Sequence, residues 1–110
     1  VITTHVLDTA LGRPAAGVPV SLARNTGGVW TVIGGGATDA DGRLRTLTPA
    51  GPVEPGTYRI TFDTAAYFTA TGAAGFFPHV DIHFVVIDGA AHYHVPLLLS
   101  PFGYSTYRGS

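Results

Sequence analysis

The sequence contains no cysteine. Disulfide frameworks, thiolate nucleophiles and zinc–thiolate sites are therefore excluded, while the compartment stays open because periplasmic proteins also go without disulfides. Charge is scarce too: Asp, Glu, Lys and Arg make up 12% of the residues, and the formal net charge is −1. That balance gives no electrostatic reason to expect nucleic acid or an anionic membrane as partner. No apolar run approaches the roughly 18 residues that span a bilayer, so a soluble protein is expected. Catalytic signatures are missing as well: no H-E-x-x-H, no G-x-S-x-G and no P-loop. The GGG at 34–36 precedes a turn rather than a helix, which makes it a poor phosphate cradle. The aromatic residues are not interleaved with basic ones, so a nucleic-acid stacking surface has no support. The first residue is Val1 rather than methionine, so an upstream segment is expected, whether a leader or a trimmed end.

What remains is a strongly apolar chain of 110 residues, 45% hydrophobic. This length suits one domain, residues 1–110, that buries about two-thirds of its unfolded surface. Short β-type runs alternate with Gly, Pro and Asp breaks. Strands are expected at Ile2 to Asp8, Val18 to Arg24, Val29 to Gly34, Arg43 to Leu47 and Thr57 to Phe62. Three more follow at Val80 to Ile87, His92 to Leu99 and Tyr104 to Arg108. Between the fifth and sixth lies DTAAYFTATG, where alanines replace β-branched residues. It reads as one short helix, with Asp63 or Thr64 as N-cap and Gly72 as stop. Eight strands at these turn spacings predict an antiparallel β-sandwich.

Proton chemistry near neutrality points to the five histidines. His79 and His83 share a strand face with Asp81 and read as a solvated outer face, with a surface metal site as the minor alternative. His92 and His94 also share a face, with side chains about 7 Å apart. Pro96 and Leu98 lie on that same face, where an exposed strand would be polar, so another subunit is expected to cover it. On position alone His94 is equally a hydrogen-bonded interface histidine or a catalytic one. His5 shares its row with Thr3 and Leu7 and would alone be structural. Arg43, after the Asp41-Gly42 turn, would alone be a solvated arginine.

Three stretches carry a resemblance: THVLDTALGRPAAGVPVSL, GGATDADGR and HYHVPLLLSPFGYSTYRGS. Together they resemble the transthyretin-like family, and within it the 5-hydroxyisourate hydrolase branch; the terminal YRGS is the most specific piece. The resemblance implies an all-β sandwich of two four-stranded antiparallel sheets with one short helix. It also implies edge-strand dimers packed face to face into a homotetramer with a central channel. By the same resemblance the catalytic residues are His5, Arg43, His94 and Ser110, and His5, Arg43 and Tyr107 contact the substrate. Leu7, Leu98 and Ser105 line the channel, and neither a metal nor a cofactor is implied. His92 and Arg108 fall within the motifs without a role.

The implied activity is hydrolysis of 5-hydroxyisourate to 2-oxo-4-hydroxy-4-carboxy-5-ureidoimidazoline in urate degradation. A urate-oxidising enzyme and a ureidoimidazoline decarboxylase would be its pathway neighbours. In that scheme two histidines divide the proton work and an arginine holds the oxyanion. The Ser110 hydroxyl or a terminal carboxylate would complete the polar wall. The absence of a terminal Ser-Lys-Leu favours a bacterial cytoplasmic setting, or a periplasmic one. The rival readings are a carrier of a hydrophobic ligand in the same channel, a metal-dependent hydrolase using His5, His92 and His94, and an immunoglobulin-like interaction module. The carrier branch of the family is expected to hold other residues where His5, Arg43 and His94 stand.

Overall fold

The computed structural model describes residues 1–110. Nine strands and one helix follow one another along the chain: β1 (Ile2–Asp8), β2 (Arg13–Pro14), β3 (Pro19–Thr26), β4 (Val29–Ala37), β5 (Arg43–Leu44), β6 (Gly56–Phe62), α1 (Thr64–Thr71), β7 (Val80–Val86), β8 (Tyr93–Ser100) and β9 (Gly103–Thr106). One sheet has the order β4-β3-β6-β7; the other runs β2-β1-β8-β9, with β5 also paired to β1. The β3–β4 hairpin closes through Gly27 and Gly28, both at positive φ, the geometry that matches the twist of the strands it joins. Between the sheets lies one apolar core, with Ile2, Val6, Leu22, Ile60, Phe62, Leu97 and Leu99 fully enclosed. These positions follow the period of two that a half-buried strand imposes.

The sandwich is as expected, but it is not antiparallel throughout. β1 and β8 run parallel, and with the two-residue β2 their sheet has five strands rather than four. Turn signals specify hairpin partners, whereas these two strands meet only after the chain has passed through both sheets, and no local signal records the pairing. β4 also runs past Gly34 to Ala37. Its glycines permit a crossing there, since a Cβ on Gly34 would lie 2.0 Å from the Leu47 carbonyl oxygen. β5 ends at Leu44 instead of Leu47, because the chain peels away and the Thr48 hydroxyl takes the Ile2 N–H at 3.0 Å. β9 stops at Thr106, short of Arg108. Its register with β8 nevertheless resumes at a His94–Gly109 bridge, and the gap falls at Pro96, which has no N–H for the ladder.

This tail changes one expectation. Pro96 is buried within the single chain, with Gly109 packed over it, so no second subunit is needed to cover it. Leu98 is half-buried and stays on the outer face.

The helix is where the sequence places it. The Asp63 carboxylate accepts from the Ala66 N–H at 3.0 Å, and Gly72 closes the other end at φ 76°. Its Tyr67 hydroxyl reaches the buried Asp8 at the end of β1, donating at 2.6 Å, while the other Asp8 oxygen accepts from the N–H groups of Ala10 and Leu11. Burial, reinforced by the Asp8 carboxylate, pushes the Tyr67 hydroxyl up to about 12, so the phenol remains a donor throughout the physiological range. Tyr67→Phe removes one donor from a buried carboxylate and is expected to cost about 1–3 kcal/mol in urea unfolding. An unchanged unfolding midpoint would show that the Tyr67–Asp8 contact contributes nothing to stability.

Candidate active site

Parallel pairing of β1 and β8 brings Thr3 opposite His94, His5 opposite Pro96 and Leu7 opposite Leu98. Tyr93, Val95, Leu97 and Leu99 enter the core, so His94, Pro96 and Leu98 form the outward row of β8. β9 adds Ser105 beside Leu98, and β5 sets Arg43 opposite His5. The outer face of this sheet is thus divided along its length. The His94 end is polar, and the Leu98 end, with Leu7 and Ser105, is the part expected to line a channel.

Arg43 is delivered by a tight turn. Asp39 Oδ1 accepts from the N–H groups of Asp41 and Arg43, at 2.9 and 3.0 Å. The Arg43 N–H, with the Asp41 N–H and the nearby arginine charges, holds the Asp39 carboxyl below its ordinary range against the opposing effect of desolvation. Gly42 sits at φ 75°, and a Cβ there would come within 2.3 Å of the Val6 carbonyl oxygen. Only glycine therefore lets the turn lie against β1. The same turn fixes His5, whose Nε2 lies 2.8 Å from the Asp41 carbonyl oxygen. A carbonyl only accepts, so this nitrogen carries a hydrogen, and whenever the ring is neutral its lone pair falls on Nδ1. The ion pairs of the chain are Arg24–Glu54, Arg45–Asp39 and His79–Asp81, which leaves the Arg43 guanidinium without a carboxylate.

A cavity of about 320 Å³ opens at this end of the sheet, with Thr3, Arg43, Arg45, His92, His94 and Ser110 in its wall and no carboxylate side chain among them. His94 is clamped on two sides: Nδ1 lies 2.8 Å from the Thr3 hydroxyl, and Gly109 packs against Cδ2, where any added Cβ would approach to 2.6 Å. The Gly109 N–H also donates to the His94 carbonyl at 2.8 Å. Nε2 is left as the ring nitrogen free for other partners. Burial first, then the charges of Arg43, His92 and His5, lower the His94 pKa from its ordinary value. At neutral pH the ring is therefore a neutral imidazole beside an unpaired guanidinium, an arrangement able to accept a proton and stabilise an anion at adjacent points.

The sequence-derived set is brought together only in part. Arg43, His94 and Ser110 share the cavity, and His5 flanks it through its pairing with Arg43. Tyr107 is 56% exposed and belongs to a different, apolar cavity of about 250 Å³ with Arg108 and β7. Arg108 stacks its guanidinium over Tyr93, 4.5 Å from the ring centre. His79, Asp81 and His83 lie exposed on the other sheet, as the solvated-face reading had it. No three His, Asp or Glu side chains are grouped to hold a metal ion. Thr3 and Arg45 were missed as site residues, and His92 entered only through the rival metal-dependent reading; Thr3 shares the outward row of His5, but its contact with His94 requires the β1–β8 register.

The model of the HIUase/Transthyretin family matches residues 2–109, and the chain belongs to that family. It is 49% identical over 113 residues to a 5-hydroxyisourate hydrolase of Deinococcus radiodurans, covering 99% of this chain and 95% of that protein. It is 44% identical to the 5-hydroxyisourate hydrolase of Salmonella typhi, covering 100% of this chain and 81% of that protein. Among solved structures, it superposes on the Klebsiella pneumoniae 5-hydroxyisourate hydrolase with a TM-score of 0.86 at 39% identity, covering 99% and 98% of the two chains. Sea bream transthyretin in complex with thyroxine gives 0.92 at 36% identity, over 98% and 93%. The fold is therefore common to a hydrolase and to a protein that binds thyroxine, and the side chains of the cavity have to separate the two.

The His94 environment is open to direct measurement. In a ring-nitrogen NMR titration His94 is expected to titrate below the usual 6.5, and Arg43→Gln is expected to raise its midpoint by removing a neighbouring positive charge. A midpoint at or above 6.5, or one indifferent to the substitution, would contradict the electrostatics described here.

Proposed function

We propose that the chain is a 5-hydroxyisourate hydrolase of urate degradation, opening the six-membered ring at an acyl–nitrogen bond to give 2-oxo-4-hydroxy-4-carboxy-5-ureidoimidazoline. The observation that carries this reading is the juxtaposition, in one cavity, of a neutral His94 and an Arg43 without a counter-ion. Hydrolysis of such a bond needs a base for water, a positive group for the oxyanion and a proton for the leaving nitrogen. His94 takes the water proton at Nε2 and returns it to the departing nitrogen. His5, held by the Asp41 carbonyl, orients the water through Nδ1. Arg43 offers fixed, permanently charged donors to the carbonyl oxygen as negative charge develops there. Ser110 completes the polar wall.

Tyr107 faces away from this cavity in a single chain and would meet substrate only across a contact between chains. Such a contact fits the exposed or half-buried Leu7, Leu98 and Ser105 beside the cavity, which would line the central channel of a dimer of dimers. The pathway neighbours would be a urate-oxidising enzyme upstream and a ureidoimidazoline decarboxylase downstream.

Added to a urate oxidation assay, the protein is expected to speed the decay of the hydroxyisourate ultraviolet signal beyond its spontaneous rate. His94→Asn is expected to lower kcat by roughly 100- to 10,000-fold, and Arg43→Gln by about 100- to 1,000-fold. No acceleration by the wild-type protein, with tight binding of iodinated phenols, would replace the hydrolase with a carrier. Leu98→Asp is expected to reduce the sedimentation mass from a tetramer to a smaller species. An unchanged mass would remove the channel role of this face.

A further inference from the structure

The Thr3 hydroxyl lies 2.8 Å from His94 Nδ1 and also 2.8 Å from His92 Nε2. The two rings are 6.2 Å apart between centroids, tilted at 55°, so they do not stack and communicate through that one oxygen. Thr3 is 7% exposed and has no other side-chain partner. If both imidazoles donated to it, its own O–H would be a buried donor without an acceptor, which is costly. The hydroxyl therefore donates to one ring and accepts from the other, and the two histidines hold complementary hydrogens. His94 is half-buried in the cavity, whereas His92 is exposed at the rim.

From this geometry we infer that Thr3 and His92 are positioning residues for the hydrolytic reaction, forming with His94 a proton relay between the cavity and solvent. The inference rests on the hydrolase reading above. In the resting state His94 Nδ1–H donates to Thr3, and the Thr3 O–H donates to His92 Nε2. That assignment leaves the lone pair of His94 on Nε2. When Nε2 takes the water proton, the Nδ1 hydrogen passes to Thr3 and the Thr3 hydrogen passes to His92 Nε2. His92, now an imidazolium, releases its Nδ1 hydrogen to solvent. His94 gains one proton and loses one, so it ends neutral in its other tautomer. The positive charge has moved away from Arg43, through a ring in contact with water and out to solvent. Collapse of the tetrahedral intermediate reverses each transfer: Nε2 protonates the leaving nitrogen, while water resupplies His92 and through Thr3 the Nδ1 position.

The charged and titratable groups around His94 are Arg43 and Arg45 from the segment after the Asp39–Gly42 turn, His5 from β1, His92 preceding β8, and the terminal groups of Val1 and Ser110 in the same cavity wall. Beside two guanidinium groups, a lone His94 would resist protonation in the step that needs it. The relay explains how the ring can accept a proton there without remaining charged.

Thr3→Val keeps the shape and removes the hydroxyl, and Thr3→Ser retains it. In the assembled full-length protein, Thr3→Val is expected to lower kcat roughly 100-fold with KM within about twofold, and Thr3→Ser to recover most of the loss. Long-range ring-nitrogen NMR, with no substrate present, is expected to show one dominant His94 tautomer in the wild type and Thr3→Ser, and a mixture in Thr3→Val. Wild-type kcat in Thr3→Val, an equal loss in both variants, or a His94 tautomer indifferent to Thr3→Val would each overturn the relay. A wild type that leaves hydroxyisourate untouched would instead overturn the hydrolase reading, and the NMR comparison would still decide whether Thr3 couples the two rings.

Discussion

Everything at the candidate site depends on the register of one parallel strand pair. β1 and β8 are separated by most of the chain, yet their pairing sets Thr3 against His94 and the His5 row against the Pro96 row. Shifting either strand by one residue would turn its outward row into the core and its core row outward, because side chains alternate with a period of two. The register is therefore protected by the core itself: Ile2 and Val6 on one strand, and Val95, Leu97 and Leu99 on the other, are held between the sheets. The apolar packing that stabilises the sandwich also sets the spacing of the polar groups on its outer surface.

Onto this pair two pieces of irregular chain are fastened. The Asp39–Gly42 turn is pinned by a carboxylate bonded to its own backbone and by a glycine that no other residue could replace without meeting β1. It supplies the Arg43 charge and the carbonyl that orients His5. From the other side, the tail after β9 leaves the ladder at Pro96 and rejoins it at Gly109, which closes the edge of the His94 ring. Burial first, then the Arg43 charge and the neighbouring histidines, hold the His94 pKa below its ordinary value and so favour the neutral ring at neutral pH. A cavity with the same fold but apolar walls would suit a hydrophobic ligand; one with a guanidinium and an uncharged imidazole suits an acyl carbon under attack by water.

Much of this could be read before any coordinates. The strands expected at Thr57 to Phe62 and Val80 to Ile87 and the capped DTAAYFTATG lie within one residue of where the structure has them, because those signals are local. The prominence of His5, Arg43 and His94 came from motif resemblance, and the fold brings all three to one end of one sheet. What the sequence did not reveal depends on contacts between distant segments. Pro96 looked like subunit-interface grease until the chain's own tail was found over it. Thr3 looked like an ordinary strand residue, since its bond to His94 spans 91 positions. Tyr107, grouped by motif with Ser110, diverges from it: Tyr107 lines the apolar cavity with Arg108, whereas Ser110 lines the cavity of His94.

The central claim is that a substrate resembling an oxidised purine sits between His94 and Arg43, at the polar end of the outer sheet face. The most direct measurement is a ring-nitrogen and guanidinium NMR titration of the assembled protein with a purine analogue whose ring cannot be opened. The account predicts that the resonances of His5, Arg43 and His94 shift together and saturably. Saturable shifts confined to the Leu7–Leu98 face or to the Tyr107–Arg108 cavity, with His94 unmoved, would contradict it.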